Sequence, residues 1–353
     1  MSADPRGQLT REQLRAVVNG YGLRGPVRYE PIARGASRLA KGRLSTASGD
    51  WMLKQRSPEA MPPGHASFLH RFQAYLDASG VPLAPMAHTP QGAWSFDLGD
   101  SLVELHRWMP GGRWDRSEAE ARSAGAALGR LLRVAPLFDA GPHAPSISFH
   151  RPGSLSGAAR LVVEAARRAD PDTDPAALRA TADRLIARAE RAFACAEKAG
   201  LASSPAMAVH GDLHPGNALF ESGSLRAILD FDAARIDRRA CEVANALLHH
   251  GNAPIAGIDP GAWRVELDAG RMQAYLQGTE AALGTSLLDA ELRAIPWLMI
   301  EACTLESVVP VAKSGRFARL RADAFLAFVD RKTAWIEGMA ASLAISKTAA
   351  PIP

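Results

Sequence analysis

Two polar side chains five positions apart mark a short turn beyond the middle of the chain. Asp212 and Asn217 lie within Val209–Ala218, a segment rich in His, Gly and Pro. A carboxylate here could accept the proton of an attacking hydroxyl, and an amide oxygen could bind a hard cation such as Mg²⁺. Thirteen residues after Asn217, the apolar run Ala227–Leu229 ends in Asp230, which offers a second oxygen ligand. The spacing predicts phosphoryl transfer by a general base beside a magnesium ion.

The same residues allow a simpler interpretation. Asp and Asn often form turns through side chains that bond to the local backbone, so Asp212, Asn217 and Asp230 could belong to a polar turn between two core strands. Each residue alone would fit that alternative. Their order favours chemistry, because a base, a first ligand, a hairpin-length spacer, an apolar strand and a second ligand follow one another.

Two blocks of this region resemble a known family. His210–Asn217 and Ile228–Asp232 resemble the signature of the aminoglycoside phosphotransferase / choline kinase superfamily, whose members share a protein-kinase-like fold. Weaker similarity reaches back to about residue 27 and forward to about residue 250. Within the superfamily, the general texture of the chain is most similar to the homoserine-kinase-like or stress-response-kinase-like branch.

The resemblance implies an α+β, protein-kinase-like fold with two lobes. We expect a small β-rich lobe that binds the nucleotide in residues 1–108, and a larger, mostly helical lobe in residues 109–353. The implied reaction is transfer of the γ-phosphate of ATP to a hydroxyl of a small molecule. Asp212 would be the base, and Asn217 and Asp230 would bind Mg²⁺.

The upstream segment independently predicts the upper sheet of a nucleotide-binding lobe. Three strands are expected at Val27–Ile32, Gly42–Thr46 and Trp51–Lys54, with a turn before the third. By resemblance, Lys54 contacts the α- and β-phosphates, and Gly35 and Ser37 in the loop between the first two strands hold the nucleotide. This loop has one glycine where protein kinases have three. A lysine on a solvated strand face is the alternative interpretation of Lys54.

A partner for this lysine is missing from its usual place. In protein kinases the lysine pairs with a glutamate on the following helix. The helix predicted here at about residues 65–79 contains no glutamate, and Glu59 lies upstream in a Pro-rich loop. We therefore expect Lys54 to be held by Glu59 or by another group such as Gln73. A nucleotide-binding pseudokinase without catalysis is an alternative function.

An apolar strand that leads into a Pro-Gly break follows at Leu102–Gly112. The resemblance implies that this segment is the hinge between the lobes. Backbone groups of Arg107, Trp108 and Met109 would then meet the adenine. An ordinary edge strand and loop is the alternative.

Composition excludes several other classes of protein. With 353 residues, 47% of them apolar and 22% charged, the chain can form a globular protein with real cores. The net charge is only +4, and no basic block is interleaved with aromatic residues, so we expect no nucleic-acid partner. We expect no membrane segment, because no stretch approaches the ~18 consecutive apolar residues that a span needs.

The cysteines and the N-terminus indicate the compartment. The three cysteines are widely spaced and form no Cys-x-x-Cys pair: Cys195, Cys241 and Cys303. They predict neither a disulfide framework nor a zinc site and fit buried thiols in a reducing cytosol. The N-terminal residues contain no apolar signal segment, so a cytoplasmic protein is expected.

Helix signals punctuate the rest of the chain. Thr10 with Gln13, and Ser117 with Glu120, have the spacing of N-terminal capping boxes. Residues 135–155 are rich in Pro, Gly, Ser and His and are expected to form a loop that could border the acceptor site. Further helices are predicted at about 156–169, at 175–199, around an apolar stripe from 240 to 248, and throughout 260–345.

Additional carboxylates near the turn bear on the acceptor. Asp232 and Glu242 are candidate substrate contacts. Asp232 could bind metal through water, hold a cationic substrate or cap a turn, and Glu242 falls where many relatives carry an aspartate that braces the catalytic loop. Glu301 and Glu306 lie on a predicted helix that could line the acceptor pocket, although we favour a solvated face for them. Because carboxylates crowd the predicted site, a cationic or amino-bearing acceptor is favoured over an acidic one. A Ser/Thr protein kinase is the alternative within the same class.

Among the histidines of the turn, His210 is expected to hold the backbone in place rather than bind metal. In kinase-type loops the first histidine usually packs and forms hydrogen bonds that fix the turn. His214 lies on the other side of Asp212, and its spacing alone would also allow a metal site. We favour the structural role for both.

Overall fold

A five-stranded antiparallel sheet is followed by a mostly helical region in this computed structural model. It describes residues 9–32, 39–59, 61–151, 153, 155, 157–255 and 257–343. Within these residues the helices are α1 Arg11–Gly20, α2 Pro63–Ala78, α3 Glu118–Val134, α4 Ala158–Ala169, α5 Pro175–Lys198, α6 Arg239–Gly251, α7 Ala269–Leu283, α8 Asp289–Ser314 and α9 Ala322–Leu343. The strands are β1 Arg28–Pro31, β2 Lys41–Thr46, β3 Gly49–Arg56, β4 Ser95–Asp97, β5 Leu102–Arg107, β6 Ala206–Val209, β7 Ala218–Glu221, β8 Ser224–Ile228, β9 Arg235–Arg238, β10 Arg316–Phe317 and β11 Leu320–Arg321. This is the predicted α+β arrangement.

The sheet has the strand order β1-β2-β3-β5-β4. A two-residue turn joins β2 to β3, because Thr46 pairs with Gly49. The register then places Lys54 opposite Lys41 on β2 and opposite Glu104 on β5. Cross-strand partners point to the same face of a sheet, so these three charged side chains share one face.

Two apolar cores support the fold. The smaller core joins α1 to the sheet and contains Val17, Leu44, Leu53 and Leu105. The larger core fills the helical region and also takes in the apolar face of α2. Helix α2 therefore packs with the helical region, although it follows β3 directly in the sequence.

The predicted helix starts are confirmed at two positions. Thr10 caps α1 in a capping box: its hydroxyl accepts from the N–H of Gln13, and its own N–H donates to the side-chain oxygen of Gln13. Ser117 caps α3 by accepting a hydrogen bond from the N–H of Glu120, but the carboxylate of Glu120 accepts from the N–H of Asp115, so the second half of this capping box does not form. Both caps satisfy N–H groups that a helix start would otherwise leave without partners.

The expectation that residues 260–345 form helix throughout is wrong in detail. The short strands β10 and β11 pair with each other between α8 and α9. Gly315 ends α8 in the left-handed conformation, at φ 74°. Glycine adopts this conformation without the steric cost that other residues meet, so it allows the chain to leave the helix.

Helix α8 is the longest helix of the described chain and lies in the larger core. Among the described helices it is also the one that is long and apolar enough, by length and composition, to cross a membrane. No such segment was expected from the sequence. However, 72% of its most apolar window is buried inside the protein. Its carboxylates at Glu291, Glu301 and Glu306 all form polar contacts with other helices or loops. These are the features of a core helix.

Candidate active site

The predicted catalytic turn lies between two small antiparallel pairs, β6 with β9 and β7 with β8. Its ends are fastened to Leu229, the residue that follows β8. The N–H of Leu229 donates to the carbonyl of Asn217 at 2.8 Å, and its carbonyl accepts from Nε2 of His210 at 2.9 Å. The turn and the segment that carries Asp230 are therefore held together.

His210 performs the structural role that was predicted for it. The side chain is fully buried, and its ring lies 4.5 Å from that of Phe231 in a tilted arrangement. Its Nδ1 accepts from the N–H of Asp212 at 3.2 Å, so Nε2 carries the proton that is donated to Leu229. Burial lowers the pKa of His210 to about 4, which keeps the ring neutral.

Gly211 makes the turn possible. Its φ is +80°, and a Cβ at this position would lie 2.2 Å from the carbonyl oxygen of Ala233. Its N–H donates to Glu242 on α6 at 2.8 Å, and its carbonyl accepts from Arg235 at 3.2 Å. The backbone just before Asp212 is thus clamped on both sides.

Glu242 therefore lies beneath the turn rather than on a surface open to a ligand. Its side chain is 2% exposed, on a helix that is buried almost all round. Its second oxygen, Oε1, has no hydrogen-bond partner within the described part of the chain. Burial raises the pKa of Glu242 to about 7, although the nearby Arg235 opposes the shift. The location fits bracing of the loop, and it places the carboxylate away from a substrate.

Asp212 is half-buried and adjoins Asn217. The amide Nδ2 of Asn217 donates to the carbonyl of Asp212 at 2.9 Å and to its Oδ2 at 3.1 Å. Burial and the charge of Glu306 raise the pKa of Asp212 to about 6. A carboxylate with that pKa can both hold and release a proton near neutral pH, as a general base must.

Asp230 adopts an unusual backbone conformation that turns the chain after β8. Its φ is 62°, in the left-handed region that residues other than glycine enter rarely. Its carboxylate accepts from Lys54 at 2.7 Å and lies 3.8 Å from Lys41. These ammonium groups show that the carboxylate attracts cations. Because the amide nitrogen of Asn217 points to Asp212, its Oδ1 is the atom that could ligate a metal. The donor set fits Mg²⁺, which prefers hard oxygen ligands.

Lys54 is held by neither of the residues that the sequence suggested. Its ammonium donates to Asp230 and to Asp232, both at 2.7 Å. Gln73 instead donates to the carbonyl of Leu69 within α2, and Glu59 is exposed in its loop. The expected pairing is wrong because the two aspartates lie within reach of β3 across the cleft.

Asp232 lies between cations of the sheet. It accepts from Lys54 and, at 2.5 Å, from Arg56 on the same strand. Although burial alone would raise its pKa, the hydrogen bond from Arg56 and the charges of both cations hold the pKa of Asp232 well below the ordinary value. These contacts use the carboxylate inside the protein, which disfavours the idea that it holds a cationic substrate.

The predicted hinge uses its first two amide groups within the protein, whereas the predicted nucleotide loop cannot be compared. Gly35 and Ser37 lie outside the described residues. The N–H of Arg107 donates to the carbonyl of Pro85 at 2.7 Å, and the N–H of Trp108 donates to the backbone carbonyl of Asp50 at 3.0 Å. Both groups are engaged within the protein, so an amide donor to adenine from this segment would have to come from Met109.

A polar cluster from α6 and α8 lies beside Asp212. Glu306 accepts from Asn245 at 2.5 Å and from His249 at 3.1 Å. The ring of His249 lies 5.7 Å from that of His214, whose Nε2 is 3.7 Å from Asp212. The side chain of Glu306 is 38% exposed, so it can meet a ligand as well as its protein partners.

The expectation of a solvated face for Glu301 and Glu306 is therefore wrong. Glu301 is 5% exposed and binds His150 at 2.9 Å, which in turn contacts Glu197 at the same distance. The loop that contains His150 is thereby anchored to α5 and α8. That loop is irregular, as predicted, whereas its place at the border of an acceptor site stays a prediction.

The source of negative charge also differs from the one expected. Asp230 and Asp232 are matched by lysine and arginine, whereas Asp212 and Glu306, on the predicted acceptor side, have the histidines His214 and His249 as neighbours. Three arginines near the turn are engaged by other groups: Arg235 by Asp237 and by the carbonyl of Gly211, Arg238 by backbone carbonyls, and Arg239 by Glu291.

Several residues of the site were not expected from the sequence. Lys41 could have been found, because the two-residue turn between β2 and β3 fixes its pairing with Lys54. Arg56 lies two positions after Lys54 and so points to the same face of the strand. Glu104 and His249 gave no local signal, since each approaches the site only through tertiary packing, whereas Glu306 was already a candidate for the wall of the acceptor pocket.

Comparisons with known proteins agree with this geometry. The model of the phosphotransferase enzyme family matches residues 28–293, and the chain belongs to that family. It is 27% identical over 297 residues to a homoserine kinase of Gluconacetobacter diazotrophicus, which covers 82% of this chain and 83% of that protein.

Solved structures show the kinase-like fold. A microcompartment-associated aminopropanol kinase matches with a TM-score of 0.65 at 14% identity, over 94% of this chain and 97% of its own. An amicoumacin kinase in complex with AMP-PNP, Ca²⁺ and Ami matches with a TM-score of 0.62 at 16% identity, over 93% and 94%. The predicted protein-kinase-like fold and family are confirmed, and the protein is a small-molecule phosphotransferase by family.

Proposed function

We propose that the protein is an ATP-dependent kinase whose acceptor is a hydroxyl on a small, amino-bearing molecule. The observation that carries this proposal is the position of Asp212. Its carboxylate accepts from Asn217, lies 3.7 Å from His214, and is influenced by the charges of Glu306 and His249. A base that adjoins both a metal ligand and a second carboxylate suits transfer to an amino alcohol or a hydroxy amino acid.

On the nucleotide side, Lys54 would contact the α- and β-phosphates. In the present arrangement its ammonium lies on Asp230 and Asp232, from which it would turn to the phosphates. Asn217 and Asp230 would hold Mg²⁺, which when bound neutralises charge on the phosphate oxygens. Lys41 adds positive charge next to the same carboxylate.

On the acceptor side, Asp212 would orient the hydroxyl and take its proton. The hydroxyl oxygen forms a bond to the γ-phosphorus, the bond from that phosphorus to the β–γ bridging oxygen breaks, and ADP leaves. No covalent bond to the protein is needed. Most of the rate would come from alignment of the two substrates and from neutralised charge.

The amino preference is assigned to Glu306. An ammonium group beside this half-buried carboxylate would form a charge-assisted hydrogen bond, whereas an acidic group would meet repulsion from Glu306 and Asp212. Two similar proteins have names that include amino-bearing compounds with a hydroxyl, homoserine kinase and aminopropanol kinase. These names support the class of acceptor.

A matched acceptor panel tests the proposal. ADP release would be followed with homoserine, with γ-hydroxybutyrate, which lacks the amino group, and with aminopropanol, which lacks the carboxylate. We expect turnover of the two amino-bearing compounds and at least ~10-fold lower kcat/KM for γ-hydroxybutyrate. Equal kcat/KM values for γ-hydroxybutyrate and the amino-bearing compounds would refute the amino preference. If no hydroxyl compound supported ADP release, the kinase assignment would be refuted.

Two variants on one helix localise the preference. Glu306→Gln keeps a hydrogen-bonding side chain but removes the charge. It should therefore lower the ratio of kcat/KM for homoserine to kcat/KM for γ-hydroxybutyrate. Glu301→Gln, which removes a carboxylate bound to His150 on the same helix, is the matched control and should leave the ratio unchanged. An unchanged ratio in Glu306→Gln would show that another group reads the amino function.

A further inference from the structure

One arginine joins the sheet to the turn that follows β8. Arg56 lies on β3 and is 8% exposed. Its Nε donates to Glu104 on β5 at 2.9 Å, and its Nη1 donates to Asp232 at 2.5 Å. A single planar guanidinium thus bridges a buried carboxylate of the sheet and a carboxylate two residues after Asp230.

Glu104 holds that arginine from behind. It is 2% exposed, and its second oxygen meets Nε2 of His70 on α2 at 2.8 Å. His106 lies 3.6 Å from the same carboxylate. Although burial alone would raise the pKa of Glu104, the two histidines and Arg56 hold it well below the ordinary value, so the group is ionised. Strands β3 and β5 and helix α2 therefore meet at one buried negative charge.

A buried ion pair of this kind is weak evidence for stability, because the cost of removing two charges from water offsets much of their attraction. Its geometry points instead to a positioning role. Lys54 shares Asp230 and Asp232 with Arg56, but Lys54 must turn to the phosphates when nucleotide binds. Arg56 can remain on Asp232 at that moment, since Glu104 fixes its guanidinium.

We propose that Arg56 is a positioning residue that holds the Asp230 turn in its metal-binding place through Asp232. Glu104, supported by His70, fixes Arg56 and so takes over on β5 the ordering task that a helix glutamate performs in protein kinases. This inference rests on the proposed function, because it requires that Asp230 bind a metal together with the nucleotide.

The test measures how strongly Mg²⁺ and nucleotide binding depend on each other, which requires no acceptor and no turnover. The dissociation constant of ADP would be measured by calorimetry with Mg²⁺ and with EDTA. The value in EDTA divided by the value with Mg²⁺, here called the magnesium ratio, would be compared among variants. In Arg56→Met we expect this ratio to fall at least ~10-fold toward one, while affinity in EDTA stays within about twofold. Arg56→Lys should retain only part of the ratio, because an ammonium cannot reproduce the guanidinium's two directed contacts.

A second variant guards against a folding defect. Asp232→Ala removes the other end of the contact at a side chain that is 43% exposed, and it leaves Arg56 paired with Glu104. It should lower the magnesium ratio as Arg56→Met does. Arg28→Met is the matched control, because Arg28 pairs with Glu30 on the exposed face of β1 and should leave the ratio unchanged.

The outcomes separate this inference from the function on which it rests. A wild-type protein that binds no nucleotide, or binds it without any effect of Mg²⁺, overturns the proposed function. A wild-type protein with a clear magnesium effect that survives intact in Arg56→Met, or in Asp232→Ala where Arg56→Met does not fold, overturns the positioning role alone. Loss of the effect in the variants, but not in Arg28→Met, supports it.

Discussion

At the scale of single residues, Asp212 has one oxygen that is already engaged. Both Asn217 and His214 approach its Oδ2, so we assign the proton of the acceptor hydroxyl to Oδ1. Asp212→Asn should lower kcat by on the order of 10² or more, because the amide has no basic lone pair to take the proton. ADP affinity should survive, since the loop keeps its shape. Steady-state kinetics with a confirmed acceptor and calorimetry with ADP measure the two effects.

The control for this variant is Asp183→Asn. Asp183 lies on α5 in an exposed pair with Arg179, so the same chemical change there should leave kcat unaltered. If Asp212→Asn keeps the kcat of the wild-type protein, another group accepts the proton and the assignment fails.

Lys54 differs from a surface lysine in its surroundings. Its side chain is 14% exposed, and both of its partners are carboxylates of the opposite side of the cleft. Lys54→Ala should lower kcat/KM by at least ~10-fold, because a charge-assisted contact to the phosphates is lost. Initial rates at low ATP concentration would measure this. Glu59→Ala is the control: Glu59 is exposed and does not hold Lys54, so a comparable loss there would contradict the structure.

At the scale of elements, the catalytic turn depends on one glycine conformation. Gly211→Ala combines an unfavourable φ with a Cβ only 2.2 Å from the carbonyl of Ala233. We expect a loss of about 1–3 kcal/mol in the free energy of unfolding and a larger loss of activity, since the adjacent Asp212 must shift. Chemical denaturation and initial rates would measure the two.

A second glycine isolates the cause. Gly80 has φ +75°, but a Cβ there would meet nothing within 4 Å. Gly80→Ala carries the same backbone penalty without the clash, so it should cost stability alone. If the two variants lost stability and activity equally, the contact with Ala233 would not matter to the turn.

The elements that could be predicted from the sequence are those with local causes. The caps at Thr10 and Ser117 depend on partners three residues away, and the catalytic turn depends on Gly211 and on its own spacing. The β2–β3 hairpin follows from its turn chemistry, and its register even determines the unpredicted position of Lys41. Such signals lie within a few residues and survive whatever the rest of the chain does.

The side chains that pair with the site residues could not be predicted, because they are far away in the sequence and approach only when the chain folds. Glu104 reaches Arg56 across 48 positions, and Glu306 reaches His249 across 57. No periodicity marks these residues, since a buried carboxylate in a strand or helix looks like an interruption of an apolar pattern. The expectation that Glu59 or Gln73 would hold Lys54 failed for this reason.

At the scale of the whole molecule, the site forms where the two apolar cores adjoin. The sheet has its own core, whereas α2 packs in the core of the helical region. Polar contacts of Lys54 and Arg56 with the Asp230 turn, and of His70 with Glu104, connect these parts. Polar contacts therefore connect regions that apolar packing leaves separate, and the proposed nucleotide site lies at that junction.

The free energy of unfolding of the whole chain should depend on pH through the protonation of Glu242. Its pKa of about 7 in the folded protein is raised above the ordinary value of 4.5, so between these pH values the folded state holds a proton that the unfolded state has lost. Its contribution to stability is full below pH 4.5 and is lost as pH rises through about 7, a difference on the order of 1–3 kcal/mol. Glu242→Gln is neutral at every pH and can still accept from Gly211, so it should lack this decline.

The difference between two denaturation series separates Glu242 from every other titrating group. The free energy of unfolding would be measured from pH 4.5 to 8 for the wild-type protein and for Glu242→Gln, and the wild-type value minus the variant value plotted against pH. We expect this difference to fall as pH rises to about 7 and then to level off. Glu164→Gln, at an exposed side chain of α4, provides the control and should give a flat difference. A flat difference for Glu242→Gln as well would mean that Glu242 is ionised in the folded protein throughout this range, with Arg235 rather than a proton neutralising it.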